Sequence, residues 1–180
     1  MRDLLQIGWL LSCLLLGPAT ATLADGAVAV PNAGFEDVDE KTGLPLGWTA
    51  WAANNTCAFT LAMAHSGVAC ARVTDTSSTV SQGLRSPRVP IAPGSAYSAT
   101  AWVRVTELQA GGFALYLEFW RGDQRIQDTA VSTTRAGEWT QLRVDGTAPP
   151  DADSATLLVY GGSATVGEAY FDDIALSAAP

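Results

Sequence analysis

The chain predicts an all-β fold, an antiparallel sandwich or barrel. Three observations carry this: short stretches of alternating apolar and polar residues, turn residues at roughly 8–12-residue spacing, and no helical periodicity after residue 26. The expected strands are 47–52, 57–62, 68–74, 79–84, 97–106, 113–120, 125–131, 139–145, 156–160 and 168–176. Between them lie Gly43-Leu44-Pro45, His65-Ser66-Gly67, Pro93-Gly94, Gly111-Gly112, Arg121-Gly122-Asp123, Ala136-Gly137, Asp145-Gly146, Pro149-Pro150 and Gly161-Gly162. Glycine reaches the positive φ that tight turns need, and proline lacks the N–H a ladder requires, so both interrupt strands. Repeats and linkers are absent, and one domain over residues 27–178 is expected.

Side-chain parity refines the strands, because residues i and i+2 share a face. In 97–106, Ala99, Ala101, Val103 and Val105 form the apolar set; Ser98, Thr100, Trp102 and Arg104 lie opposite. In 113–120, Phe113, Leu115, Leu117 and Phe119 face the core, leaving Ala114, Tyr116, Glu118 and Trp120 outside. In 156–160, Leu157 and Val159 face in, with Leu158 and Tyr160 out. Three strands thus place large aromatics where polar residues are expected.

Composition narrows the function. Eighteen acidic residues against ten basic ones give a formal charge of −8. That field repels polyanions, so nucleic acid is excluded as a partner and docking on an anionic membrane surface is disfavoured. A single histidine leaves little room for a multi-histidine metal site.

Residues 1–24 read as an export signal. Arg2 opens it, an apolar run extends from Leu4 to Leu16, Pro18 ends it, and Ala19-Thr20-Ala21 or Thr22-Leu23-Ala24 offers small-residue cleavage. The run is shorter than the roughly 20 residues of a membrane span, so no span is expected. The expected location is secreted, periplasmic or at the cell surface. Cleavage would remove Cys13 and leave Cys57 and Cys70, an even pair that in an exported domain suggests a disulfide worth roughly 3 kcal/mol. The alternative is two unpaired thiols on neighbouring strands.

Several segments then resemble the carbohydrate-binding modules of the family 4, 9, 16 and 22 type. Asn32-Ala33-Gly34-Phe35-Glu36 followed by Gly47-Trp48 is similar to the family's opening motif. His65-Ser66-Gly67 with Ala71 and Val73 resembles its first hairpin, and Tyr97 to Arg104 its Y-x-x-S-x-W-V-R strand. Glu138-Trp139 with Leu142, Val144 and Ala148-Pro149, and the closing Phe171-Asp172-Asp173-Ile174-Ala175-Leu176, complete the pattern. The resemblance implies a jelly-roll β-sandwich of galactose-binding-domain-like architecture. It also implies a structural Ca²⁺ held by Glu36 and Asp172 with help from backbone carbonyls. Asp172 has the parity of Ile174 and Leu176 and should point inward, where a hard cation would satisfy it.

A sugar-binding surface combines flat aromatics with a few polar groups at the ring edge. Trp102, Tyr116 and Trp120, with Tyr160 at the margin and Trp51 overhanging, are the expected platform. Arg104 and Glu118 share that parity and could bind paired hydroxyls. The expected function is therefore non-catalytic binding of a polysaccharide or oligosaccharide. A second reading uses the same aromatics to engage other secreted or cell-surface proteins. No activated nucleophile and no glycosidase-like carboxylate pair stands out.

Overall fold

The computed structural model describes residues 26–179 as two antiparallel sheets packed face to face, with no helix among the described residues. The strands are β1 (Ala27–Val28), β2 (Val38–Asp39), β3 (Leu44–Pro45), β4 (Thr49–Ala50), β5 (Cys57–Thr60), β6 (Cys70–Asp75) and β7 (Gln82–Arg85). They continue with β8 (Val89–Pro90), β9 (Ala96–Ala110), β10 (Phe113–Arg121), β11 (Gln124–Thr133), β12 (Thr140–Thr147), β13 (Ser154–Gly161) and β14 (Val166–Ala178). Sheet one runs β12-β9-β14-β6-β5 with β1 added to β14; sheet two runs β11-β10-β13-β7-β4 with β8 added to β13. β2 and β3 form a separate small ribbon. Each of the ten expected strands has a counterpart, and the four additional ones, β1, β2, β3 and β8, span two residues each. The export signal expected over residues 1–24 lies outside the described residues.

The core forms where the two inner faces meet. Ala99, Ala101, Val103 and Val105 on β9 oppose Phe113, Leu115, Leu117 and Phe119 on β10, all buried as their parity predicts. Small residues on β9 leave room for large ones on β10, so the two inner faces can interdigitate. Each Val, Leu or Phe among these side chains contributes about 1.5–3 kcal/mol by leaving water.

The step from β9 to β10 decides where the aromatics go. Gly111-Gly112 looks like a hairpin turn, yet it carries the chain from sheet one to sheet two. Gly111 sits at φ 70, and a Cβ there would lie 2.6 Å from the Thr165 backbone, so only glycine makes the corner. Trp102 and Arg104 therefore face outward from one sheet, and Tyr116 and Trp120 from the other.

Two local expectations are corrected. The ladder pairs Cys57 with Val73 and Cys70 with Thr60, so the cysteines are three rungs apart, about 10 Å along the hairpin. An odd offset also turns them to opposite faces: Cys57 joins the core and Cys70 faces away from it. No disulfide can span that arrangement, and both thiols are free and buried. Burial pushes each thiol up to about 12. The second correction concerns Asp172. A bulge between Asp172 and Ala175 shifts the register of β14, with Asp173 in the left-handed region at φ 47. Asp172 consequently lies opposite Trp102, on the face away from Phe171 and the core, and is buried instead by the loop around His65.

Candidate functional site

The outer face of sheet two holds a small aromatic cleft. Its rungs align Tyr116 with Leu158 and Arg85, Glu118 with Thr156, and Ala114 with Tyr160 and Gly83. Gly83 has no side chain, and a Cβ there would stand 2.6 Å from the Val159 carbonyl oxygen and 3.0 Å from the Tyr160 ring. The Tyr160 ring therefore lies across β7. The Trp51 backbone N–H donates to the Gly83 carbonyl at 2.9 Å, which brings the loop after β4 over the same spot. Trp51 meets Tyr160 edge-on at 5.3 Å, and Tyr160 meets Tyr116 edge-on at 5.5 Å. These rings, with Leu158, Arg125 and Asp128, line a cleft of about 230 Å³. Trp51 is 39% exposed and so remains open to solvent.

A charged frame holds the cleft beneath. Glu118 is fully buried and accepts from Arg85 Nε at 2.7 Å, Arg85 Nη2 at 2.9 Å, Arg125 Nη1 at 2.8 Å and Thr156 Oγ1 at 2.7 Å. Burial pushes its carboxyl up, but the hydrogen bonds from Arg85, Thr156 and Arg125 outweigh that and hold it below the usual carboxylate range. Arg85 also lies 4.7 Å over Trp51, tying the overhanging ring to the frame. Arg125 approaches Asp128 at 3.7 Å, and this half-exposed pair forms the polar wall of the cleft. Burial and the neighbouring Tyr160 push the Tyr116 phenol up, so it stays protonated and can both donate and accept.

The expected platform is thus divided. The structure brings Trp51, Tyr116 and Tyr160 together and leaves Trp102 and Arg104 on the opposite side of the sandwich. Trp120 shares the outer face of sheet two but is covered: Arg88 lies 4.3 Å over its ring and its indole N–H donates to Thr156 at 2.8 Å. Glu118 is committed to the frame, not free for hydroxyls. Arg85, Arg125, Asp128 and Leu158 were missed. The turn at Arg121-Gly122-Asp123 offered a signal for two of them, because a tight hairpin there sets Arg125 and Asp128 beside Trp120 and Glu118.

On the other side, His65 stacks on Trp102 at 4.1 Å and meets Trp139 edge-on at 5.3 Å, which covers the Trp102 ring. The His65 ring also contacts Asp173 at 2.6 Å. Beneath this loop, the backbone N–H groups of His65 and Ser66 donate to Asp172 Oδ2 at 2.8 and 3.1 Å. The Val68 N–H donates to Glu36 at 3.1 Å, and a Cβ at Gly67 would collide with the Glu36 carboxylate. Burial pushes the Asp172 carboxyl up. Among the described residues no group of three or more His, Cys, Asp or Glu side chains forms a metal cage. A hard cation there would fit the all-oxygen chemistry of Glu36 and Asp172, and backbone carbonyls would have to supply its other ligands.

Residues 28–166 match the family described as carbohydrate binding domain. The chain belongs to that family. The carbohydrate binding domain also has structural relatives of low identity, which share its fold. A family 16 carbohydrate-binding module superposes with a TM-score of 0.57 at 18% identity, over 75% of this chain and 96% of that one. The family 22 module–glycoside hydrolase 10 modules of Clostridium thermocellum endo-1,4-β-D-xylanase 10B, complexed with xylohexaose, give 0.62 at 19% identity, over 87% of this chain and 29% of that one. A family 22 xylan-binding domain from Paenibacillus barcinonensis gives 0.53 at 14%, over 81% and 91%. No curated protein matches the carbohydrate binding domain in sequence.

Proposed function

We propose that this domain binds a glycan in the Trp51–Tyr160–Tyr116 cleft and performs no chemistry on it. The observation that carries the reading is the set of three rings, Trp51 and Tyr116 each edge-on to Tyr160, around an open cleft walled by Arg125 and Asp128. Sugar C–H groups pack on such rings, while the guanidinium and carboxylate serve hydroxyls at their edge. Glycoside hydrolysis needs two carboxyl groups, one of them held protonated. Glu118 is buried and held ionised in the frame, which leaves Asp128 as the lone acid of the cleft. The xylohexaose and xylan in the relatives' descriptions make β-1,4-xylo-oligosaccharides the first probes.

The same reading includes a Ca²⁺ held by Glu36 and Asp172 at the loop of His65 to Ala69, acting as a structural clamp, and export through residues 1–24. A second reading, recognition of another extracellular protein, is favoured by Leu61 and Val68, which are 69% and 67% exposed in the segment joining β5 to β6. Affinity electrophoresis against soluble polysaccharides separates the two. Retardation by a glycan, weakened on the order of tenfold by Trp51→Ala, is expected. Absence of retardation by any glycan contradicts it.

A further inference from the structure

The outer face of sheet one carries two cations with no counter-ion. In this acidic chain Arg85, Arg88, Arg121, Arg125, Arg135 and Arg143 each lie within ion-pair distance of a carboxylate. Arg72 and Arg104 do not, among the described residues, and each has a buried Nε with no hydrogen-bond partner. They are not scattered. The register sets Arg104 of β9 and Arg72 of β6 on either side of Tyr170 of β14, in one rung. Neighbouring strands are about 4.8 Å apart, so their backbones are about 10 Å apart and both long side chains can reach one small anion over Tyr170. Two acids on that face are engaged elsewhere: Glu168 by the hydroxyls of Tyr170 at 2.9 Å and Thr74 at 3.0 Å, and Asp172 by the backbone N–H groups of His65 and Ser66. Trp102 lies two residues before Arg104 on the same face, and Trp139 joins it through His65.

We infer that Arg72 and Arg104 form a second binding site, on the sheet opposite the Trp51 cleft, for the carboxylate of a single uronate carried by a neutral glycan. The planar guanidinium fork matches a carboxylate and is wasted on a lone hydroxyl. The formal charge of −8 disfavours a polyuronate, whose many charges the protein's field would repel, whereas one carboxylate meets the local pair. The inference does not depend on the cleft, since the two sites share no residue.

The test is calorimetric titration of the intact protein with an oligosaccharide bearing one glucuronate and with the same oligosaccharide after carboxyl reduction. The charged form should bind more tightly by about tenfold. Arg72→Gln with Arg104→Gln should abolish that ratio while leaving affinity for the reduced form unchanged. Arg72→Lys with Arg104→Lys, which keeps the charge without the fork, should retain only part of it. Trp51→Ala should weaken the reduced form while the charged form keeps the binding that Arg72 and Arg104 supply, which distinguishes failure of the cleft from failure of this site. Equal affinity for the two ligands, or a ratio surviving the double glutamine variant, overturns the inference.

Discussion

Replacing Glu118 by Gln keeps the shape of the side chain and removes the charge on which the cleft's frame depends. Glu118 is fully buried and accepts four hydrogen bonds, three of them from Arg85 and Arg125. Hydrogen bonds to charged groups contribute about 1.5–3 kcal/mol each, and stranding a buried partner costs about 3–5 kcal/mol. The arginine side chains are 24% and 38% exposed, so water recovers part of that loss. The net expectation is a destabilisation of about 3 kcal/mol, or roughly 6–12 °C in Tm for a domain of this size. The pH dependence has a definite sign. A carboxyl held below its ordinary value stabilises the fold above its unfolded pKa, and that contribution fades as acid protonates it in the folded state. Wild type and variant should therefore differ near neutrality and converge as pH falls below about 4. Thermal unfolding monitored by circular dichroism across pH 3–8 reads both effects. A variant within about 0.5 kcal/mol of wild type at neutral pH, the usual range for inert surface changes, would refute the frame.

Other perturbations probe separate parts of the molecule. Asp75 is buried with Oδ2 unpartnered, and burial pushes its carboxyl up. Ionising it costs the folded state at high pH, so Asp75→Asn should stabilise by about 1 kcal/mol near pH 7, an advantage lost under acid where Asp75 is protonated; urea melts at both pH values check this. Adding dithiothreitol should leave Tm unchanged, and both cysteines should react with a thiol reagent only on unfolding; a reductant-sensitive Tm contradicts the hairpin register. If Glu36 and Asp172 hold Ca²⁺, a chelator should lower Tm by about 5–10 °C for a site filled at a hundred times its Kd. An unchanged melting curve removes the metal.

The sandwich was legible because alternation is a local property. Ala99 to Val105 and Phe113 to Phe119 declare their inner faces without any knowledge of their partners. Membership of a sheet is not local. Gly111-Gly112 serves a hairpin and a sheet-crossing corner equally well, so parity alone placed Trp102 beside Tyr116 when the corner puts them on opposite sides. The same limit hid Arg85, which enters the cleft only because β7 pairs with β13. Asp172 shows a second kind of failure, since parity propagates along a strand only until a bulge, and the left-handed Asp173 marks one. The cysteine pair followed composition and compartment, yet a three-rung offset overrides both. β1, β2, β3 and β8 are too short to carry an alternating pattern at all.

Glycan-induced shifts of the tryptophan indole N–H signals, followed by NMR during titration, examine the cleft most directly. The indole of Trp51 should move with saturable dependence on a bound oligosaccharide, while the covered Trp120 and the core Trp48 stay still. With a neutral oligosaccharide, movement confined to Trp102 and Trp139 with Trp51 silent would place the sugar on the opposite sheet and contradict the account.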